Sequence, residues 1–274
     1  DVQPPASLVG DPVRLRAQGL APGSAVTIRI EYTDHAGVRW ASRASFVAGN
    51  TGVVDPAVQP PTSGDYSGAD PAGLFWALKP TSANKPAGAF TRNVAPENMT
   101  AILEVGGKTA ASRDFVRLRL GRGVERVEIR EPGIVGTLFL PPGNERRPAL
   151  VVFGGSEGGV YEPAAAQIAS RGYVAFALAY FGVEGLPATL QEIPVETVER
   201  GLQWFKCQPR VKAESLGVWG ASKGAELALV SASLFRDFKA VVAKSASSVV
   251  FEGIGPGIGR DHKSILFAIK HHTN

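Results

Sequence analysis

Gly220-Ala221-Ser222-Lys223-Gly224 stands between an apolar, strand-like run, Ser215 to Trp219, and a helix-like run, Ala225 to Phe235. A strand that turns sharply into a helix, with glycines two residues to either side of a serine, lifts the hydroxyl clear of the backbone. It also points a helix N-terminus at developing negative charge. Ser222 is therefore the candidate nucleophile. In a chain with 32 glycines among 274 residues the pentad alone is a weak signal, so its context decides. Upstream, Ala149 to Phe153 reads as a buried strand and Pro163 to Arg171 as a helix. Tyr173 to Tyr180 is a second buried strand, and Pro194 to Cys207 a helix with Val195, Val198, Leu202 and Phe205 on one face. Ala240 to Lys244 supplies a further strand after the elbow. This alternation predicts an α/β unit with a mostly parallel sheet, which opens on a hairpin-like pair, Val124 to Arg130 and Ile134 to Leu140.

Before residue 124 the period changes from helical to two. Val13, Leu15 and Ala17 alternate with Arg14, Arg16 and Gln18, and Val26, Ile28, Ile30 and Tyr32 alternate with Thr27, Arg29 and Glu31. Turns are marked by residues 21 to 24 and 34 to 37. Trp40 to Val47, Ala101 to Val105 and Asp114 to Leu120 read as further strands, and short strands at this spacing predict an immunoglobulin-like β-sandwich. Residues 55 to 98, rich in proline, glycine and aspartate, read as long ordered loops anchored around Phe75 and Trp76. The expected domains are 1–123, a β-sandwich, and 124–274, an incomplete α/β-hydrolase unit.

Directly after the Ala149 to Phe153 strand comes Gly154-Gly155-Ser156-Glu157-Gly158-Gly159. Glycines let backbone N–H groups approach a small anionic oxygen without a Cβ in the way. Where an elbow serine attacks an acyl group, this loop and the residue after the nucleophile supply the two oxyanion donors. The expected donors are the amides of Ser156, or its immediate neighbour, and Lys223. A phosphate-binding loop is the competing reading, but no Gly-Lys-Ser/Thr follows; a purely structural turn is the other.

The acid and the histidine are harder to place. In this architecture they follow the serine, each on a later loop, yet only 52 residues remain after Ser222. Asp237 falls at the far end of the elbow helix. Asp261 and His262 are sequence neighbours, a poor way to set an acid behind an imidazole. His271 and His272 stand at the terminus, and His35 falls in a turn of the β unit. The acid and base are therefore not identifiable, and His262 is the weak candidate base.

Composition bounds the alternatives. Hydrophobic residues make up 44% of the chain, and the net charge of +4 is spread along it, which argues against a nucleic-acid partner. The single cysteine, Cys207, permits no intrachain disulfide and no cysteine-based zinc site. No apolar run approaches the ~20 residues of a membrane span. A cytoplasmic setting is the expectation, with no metal and no redox cofactor.

The elbow at 220–229, the loop at 154–159 and the stretch from Asp70 to Pro80 together resemble the family of acyl-CoA thioesterases and bile-acid-CoA:amino-acid N-acyltransferases. The resemblance extends over roughly residues 8 to 264. It implies an N-terminal β-sandwich, a C-terminal α/β-hydrolase domain and a Ser-Asp-His triad acting on an acyl thioester. Ser222 matches the nucleophile position, and a serine there, where the N-acyltransferase branch has cysteine, favours transfer to water. Ile265 to Asn274 departs from the family pattern, so the expectation is a truncated or frame-shifted chain lacking the acid, the base and the last strands. An acyl-CoA or other ester is the expected substrate. Self-association through an open sheet edge is a further expectation. An ester, lactone or peptide hydrolase of the same fold, or a noncatalytic binding protein, are the alternatives.

Overall fold

A computed structural model describes residues 1–81 and 93–250. Two units emerge, Asp1–Arg119 and Leu120–Asn274. In the first, strands β1 (Val2–Gln3), β2 (Ala6–Leu8), β3 (Arg14–Leu15), β4 (Ala25–Thr33) and β5 (Arg39–Val47) are followed by β6 (Ser63–Gly64). A short helix, α1 (Gly73–Trp76), then leads to β7 (Lys79–Pro80), β8 (Glu97–Val105) and β9 (Lys108–Leu118). Seven of these strands form one sheet in the order β2-β9-β8-β4-β5-β6, with β7 also paired to β5, while β1 and β3 make a two-stranded ribbon. The period of two explains the packing. Val26, Ile28 and Ile30 of β4, Ala44 and Phe46 of β5 and Phe115 of β9 are buried in one core with Val2, Val13, Leu15 and Ala17 from the ribbon side. The sandwich is thus unequal, one broad sheet and one narrow layer.

Two details depart from the sequence reading. Strand β9 begins at Lys108 rather than Asp114, because residues 108–114 pair with β8 but are themselves exposed on both faces, leaving no alternation to read. In α1 the anchor is Leu74, with 1% of its surface exposed, while Trp76 is 61% exposed. Phe75 packs edge-on against Phe115, and Trp76 is held at the surface by its indole N–H, which donates to Asp70.

The second unit contains β10 (Glu125–Glu131), β11 (Ile134–Leu140), β12 (Arg147–Phe153), α2 (Glu162–Ser170), β13 (Val174–Leu178), α3 (Val195–Lys206), β14 (Val211–Ala221), α4 (Lys223–Leu234) and β15 (Phe238–Lys244). The sheet order is β10-β11-β13-β12-β14-β15. Strands β13, β12, β14 and β15 run parallel, and the β10–β11 hairpin is added antiparallel at one edge. Because each parallel crossover is right-handed, stepping from β12 to β13 and then back past β12 to β14 puts α2 on one face and α3 and α4 on the other. Helix α3 buries Val198, Leu202 and Phe205 against Phe176 and Leu178 of β13. Each fully buried side chain of this kind contributes roughly 1.5–3 kcal/mol. The reversal of strand order falls between β12 and β14. In open parallel sheets the crevice at the carboxyl ends of such strands is where ligands bind.

Candidate active site

Both glycine-flanked segments found in the sequence emerge at that crevice, one from β12 and one from β14. Ser222 is the N-cap of α4, with φ 53° and ψ −122°. This conformation costs a non-glycine residue on the order of 1–3 kcal/mol and persists only where the surroundings impose it. Here they do. The Ser222 amide donates to the Lys244 carbonyl of β15 at 2.9 Å, and its carbonyl accepts from the amides of Ala225 at 2.9 Å and Glu226 at 3.3 Å. The side chain faces solvent at the top of the sheet.

The glycines on either side are demanded by contact. A Cβ on Gly220 would lie 2.0 Å from the Gly224 carbonyl oxygen, and one on Gly224 would lie 2.1 Å from that of Gly154. Elbow and loop are therefore packed backbone to backbone. A Cβ on Gly155 would stand 3.3 Å from the Ser222 Cβ, which places the loop directly beside the serine. The loop closes through Gly158 and Gly159, both at positive φ. The Gly158 amide donates to Gly155, and the Gly159 amide donates to the Phe181 carbonyl at 2.9 Å.

A buried ionic cluster lies behind the elbow. The Lys223 ammonium donates to Glu226 Oε2 at 3.0 Å, with 9% and 7% of the two side chains exposed, and the Ser247 hydroxyl donates to Glu226 Oε1 at 3.0 Å. Glu226 thus ties the first turn of α4 to the segment that leaves β15. The Glu157 carboxylate leans over the loop, with Oε2 2.7 Å from the point a Gly155 Cβ would occupy. Below, the Tyr180 hydroxyl donates to the carbonyls of Gly154 and Gly155. Burial, with the nearby Glu157 and Glu226 charges, pushes the phenol far above the usual tyrosine range, so it remains a neutral donor.

The structure brings together Ser222, the loop carrying Ser156, and Lys223, the first residue of α4. Other sequence candidates lie elsewhere. His35 occupies the turn between β4 and β5 in the first unit, and Asp237, past the far end of α4, is ion-paired with Lys206. Asp261, His262, His271 and His272 lie outside the described residues. Sequence reasoning missed Tyr180, Glu226 and Glu157. Of these, Glu157, inside the glycine loop, and Glu226, three residues after Lys223 in the elbow stretch, had positional signal, and Tyr180 had none. Among the described residues no cluster of histidine, cysteine and carboxylate side chains is arranged to hold a metal.

A serine on a strained strand-to-helix turn, at the switch point of a mostly parallel sheet and beside a glycine loop, defines an α/β-hydrolase domain. Two family models match the chain. "Acyl-CoA thioester hydrolase/BAAT N-terminal region" covers residues 10–131, and "BAAT / Acyl-CoA thioester hydrolase C terminal" covers residues 193–265. The chain belongs to this acyl-CoA thioesterase and N-acyltransferase family. It is 34% identical to mouse acyl-coenzyme A thioesterase 6 over 234 residues, 83% of this chain and 55% of the relative. To mouse acyl-coenzyme A amino acid N-acyltransferase 1 it is 34% identical over 249 residues, 87% of this chain and 59% of the relative. It spans under two thirds of the length of these curated relatives. Among solved structures, an esterase of Pyrobaculum calidifontis matches at 24% identity and a TM-score of 0.38, covering 45% of this chain and 44% of that one.

Proposed function

We propose that this chain carries the nucleophile and oxyanion elements of an acyl-CoA thioester hydrolase. Ser222 attacks the thioester carbonyl, and the resulting oxyanion is held by the Ser156 amide of the loop and the Lys223 amide at the start of α4. Coenzyme A departs as the thiol, and water then releases the fatty acid from the acyl-serine. The observation that carries this reading is the elbow itself. Ser222 is held at φ 53° and pressed against Gly155 by glycines that tolerate no Cβ. Serine, rather than cysteine, at the position favours water as acceptor. The proton of Ser222 needs a base. The described residues of this unit contain no histidine; the acid and the base are not identified, and His262, outside the described residues, is the weak candidate base.

The test is thiol release from a series of acyl-CoA substrates by this chain and its Ser222→Ala variant. Turnover that depends on Ser222 supports the reading, and preference for simple esters over acyl-CoA moves it to a general esterase. A folded protein whose Ser222 neither turns over acyl-CoA nor reacts with a fluorophosphonate is a noncatalytic binder. Sedimentation of the same preparation tests self-association. Among the described residues β15 pairs on one side only and exposes Val241 and Val242. A clean monomer counts against this edge as a dimer contact.

A further inference from the structure

We propose that Tyr180 is the positioning residue of the oxyanion loop, aiming the Gly155 and Ser156 amides at the carbonyl oxygen under attack. The inference rests on the reading of Ser222 as nucleophile and adds what orients its partner loop. Tyr180 stands just past the carboxyl end of β13, with 2% of its surface exposed. Its ring packs edge-on against Phe153 and Phe181, which fixes where the hydroxyl can reach. That hydroxyl donates to the Gly154 carbonyl at 2.9 Å and to the Gly155 carbonyl at 3.2 Å, one proton shared between two acceptors.

The consequence follows from peptide geometry. In a trans peptide the C=O and the following N–H point in opposite directions. Turning the carbonyls of Gly154 and Gly155 down toward the phenol therefore turns the N–H groups of Gly155 and Ser156 away from it. Among the described residues neither of these amides donates to an intramolecular acceptor, and the loop that carries them lies against Ser222. Two N–H groups aimed alike beside a nucleophile form an anion-binding concavity. Among the described residues the Gly154 carbonyl accepts no hydrogen bond other than that from the Tyr180 hydroxyl. The Gly155 carbonyl, without the phenol, would keep among the described residues only the long 3.4 Å turn bond from the Gly158 amide. The phenol's raised pKa fits the role, because a donor that never ionises in the working range never turns into a competing acceptor. Tyr180 touches no substrate and acts only through the loop.

The test is Tyr180→Phe in the full chain, a change that deletes the hydroxyl and keeps the ring. Three quantities are read: the second-order rate of Ser222 labelling by a fluorophosphonate, deuterium exchange of the amides at 154–159, and the melting temperature. Labelling is expected to slow by about tenfold or more, within the 10²–10³-fold bound for losing an oxyanion donor outright. Exchange at 154–159, read at the hydrogen-bonded Gly158 and Gly159 amides, is expected to quicken while the rest of the sheet keeps its protection. Labelling within about twofold of wild type overturns the proposal. So does slower labelling with unchanged exchange at 154–159, which would put the effect elsewhere. A wild-type chain that does not label refutes the nucleophile reading instead, and the exchange measurement still decides whether Tyr180 holds the loop.

Discussion

Gly224→Ala places one methyl group where the site has no room. The new Cβ would meet the Gly154 carbonyl oxygen at 2.1 Å, the Phe153 oxygen at 2.7 Å and the Gly154 carbonyl carbon at 2.9 Å. All three are backbone atoms at the end of β12, a strand hydrogen-bonded on both sides within the sheet, so they cannot swing aside as a side chain would. Ordinary contact begins at 3.4 Å, so the first turn of α4 must retreat by about 1.3 Å, the difference from 2.1 Å. Overpacking of this sort costs ~1–3 kcal/mol, and backbone collision puts it at the upper end. Alanine returns up to ~1 kcal/mol of helix propensity, which leaves a net loss of ~2 kcal/mol. For a unit of this size that lowers the melting temperature by roughly 4–8 °C. The chemistry should suffer more than the fold, since moving reacting groups by about 1 Å costs on the order of 10²-fold in rate. Scanning calorimetry and fluorophosphonate labelling of Ser222 read the two effects. A variant that melts with wild type and labels at the wild-type rate would show that elbow and loop are not in contact as described.

Two further outcomes follow from buried charge. Removing only the carboxylate, as Glu226→Gln, breaks the buried ion pair with Lys223 and should cost ~3–5 kcal/mol, whereas Lys223→Met with Glu226→Gln should cost clearly less than the sum of the two single changes. Urea denaturation of the four proteins gives the coupling, and strict additivity would contradict it. In the first unit, Asp34 accepts from the amides of Ala36 and Val38 and the indole N–H of Trp40, each at 2.9 Å. Burial raises its pKa, but the Trp40, Val38 and Ala36 hydrogen bonds outweigh burial and hold it below the ordinary 3.8. A depressed carboxyl stabilises the fold above its unfolded pKa and loses that contribution as pH falls through the folded value. Asp34→Ala should therefore cost ~2–3 kcal/mol near neutrality, and the gap to wild type should close in acid. A gap that stays constant from pH 7 to pH 2.5 would refute this.

The strands and helices of the second unit were legible because each carries its own period. Val195, Val198, Leu202 and Phe205 recur at helical spacing, and all four are buried. The first unit was legible where one face met the core, as in β4. It was not legible in the first half of β9, Lys108 to Asp114, where every residue is exposed and hydrogen bonding to β8 sustains a strand that carries no hydrophobic pattern. Trp76 misled for a related reason. Its size suggested an anchor, but its indole N–H found Asp70 at the surface while Leu74 took the buried position.

The same distinction divides the candidate site. Ser222, Gly220, Gly224 and Gly155 answer to demands of the backbone. A positive φ or a carbonyl 2 Å from a missing Cβ selects against almost every residue type, and such demands show in the sequence as glycines at fixed offsets. Tyr180, and Glu226 in its contact with Ser247, answer to partners distant in the chain. The phenol reaches carbonyls 25 and 26 residues upstream, and Ser247 reaches Glu226 across 21 residues, so neither contact leaves a local pattern. Tyr180 lies in an unbroken apolar run, Val174 to Phe181, and reads as one more core residue until β13 is placed beside β12. Strand order is what brings them together. The chain passes from β12 to β13 before crossing back to β14, so the residue just past β13 stands beside the loop after β12, and the elbow after β14 faces that loop from the other side. The nucleophile can thus be named from sequence, while the groups that orient its oxyanion loop become visible only with the topology.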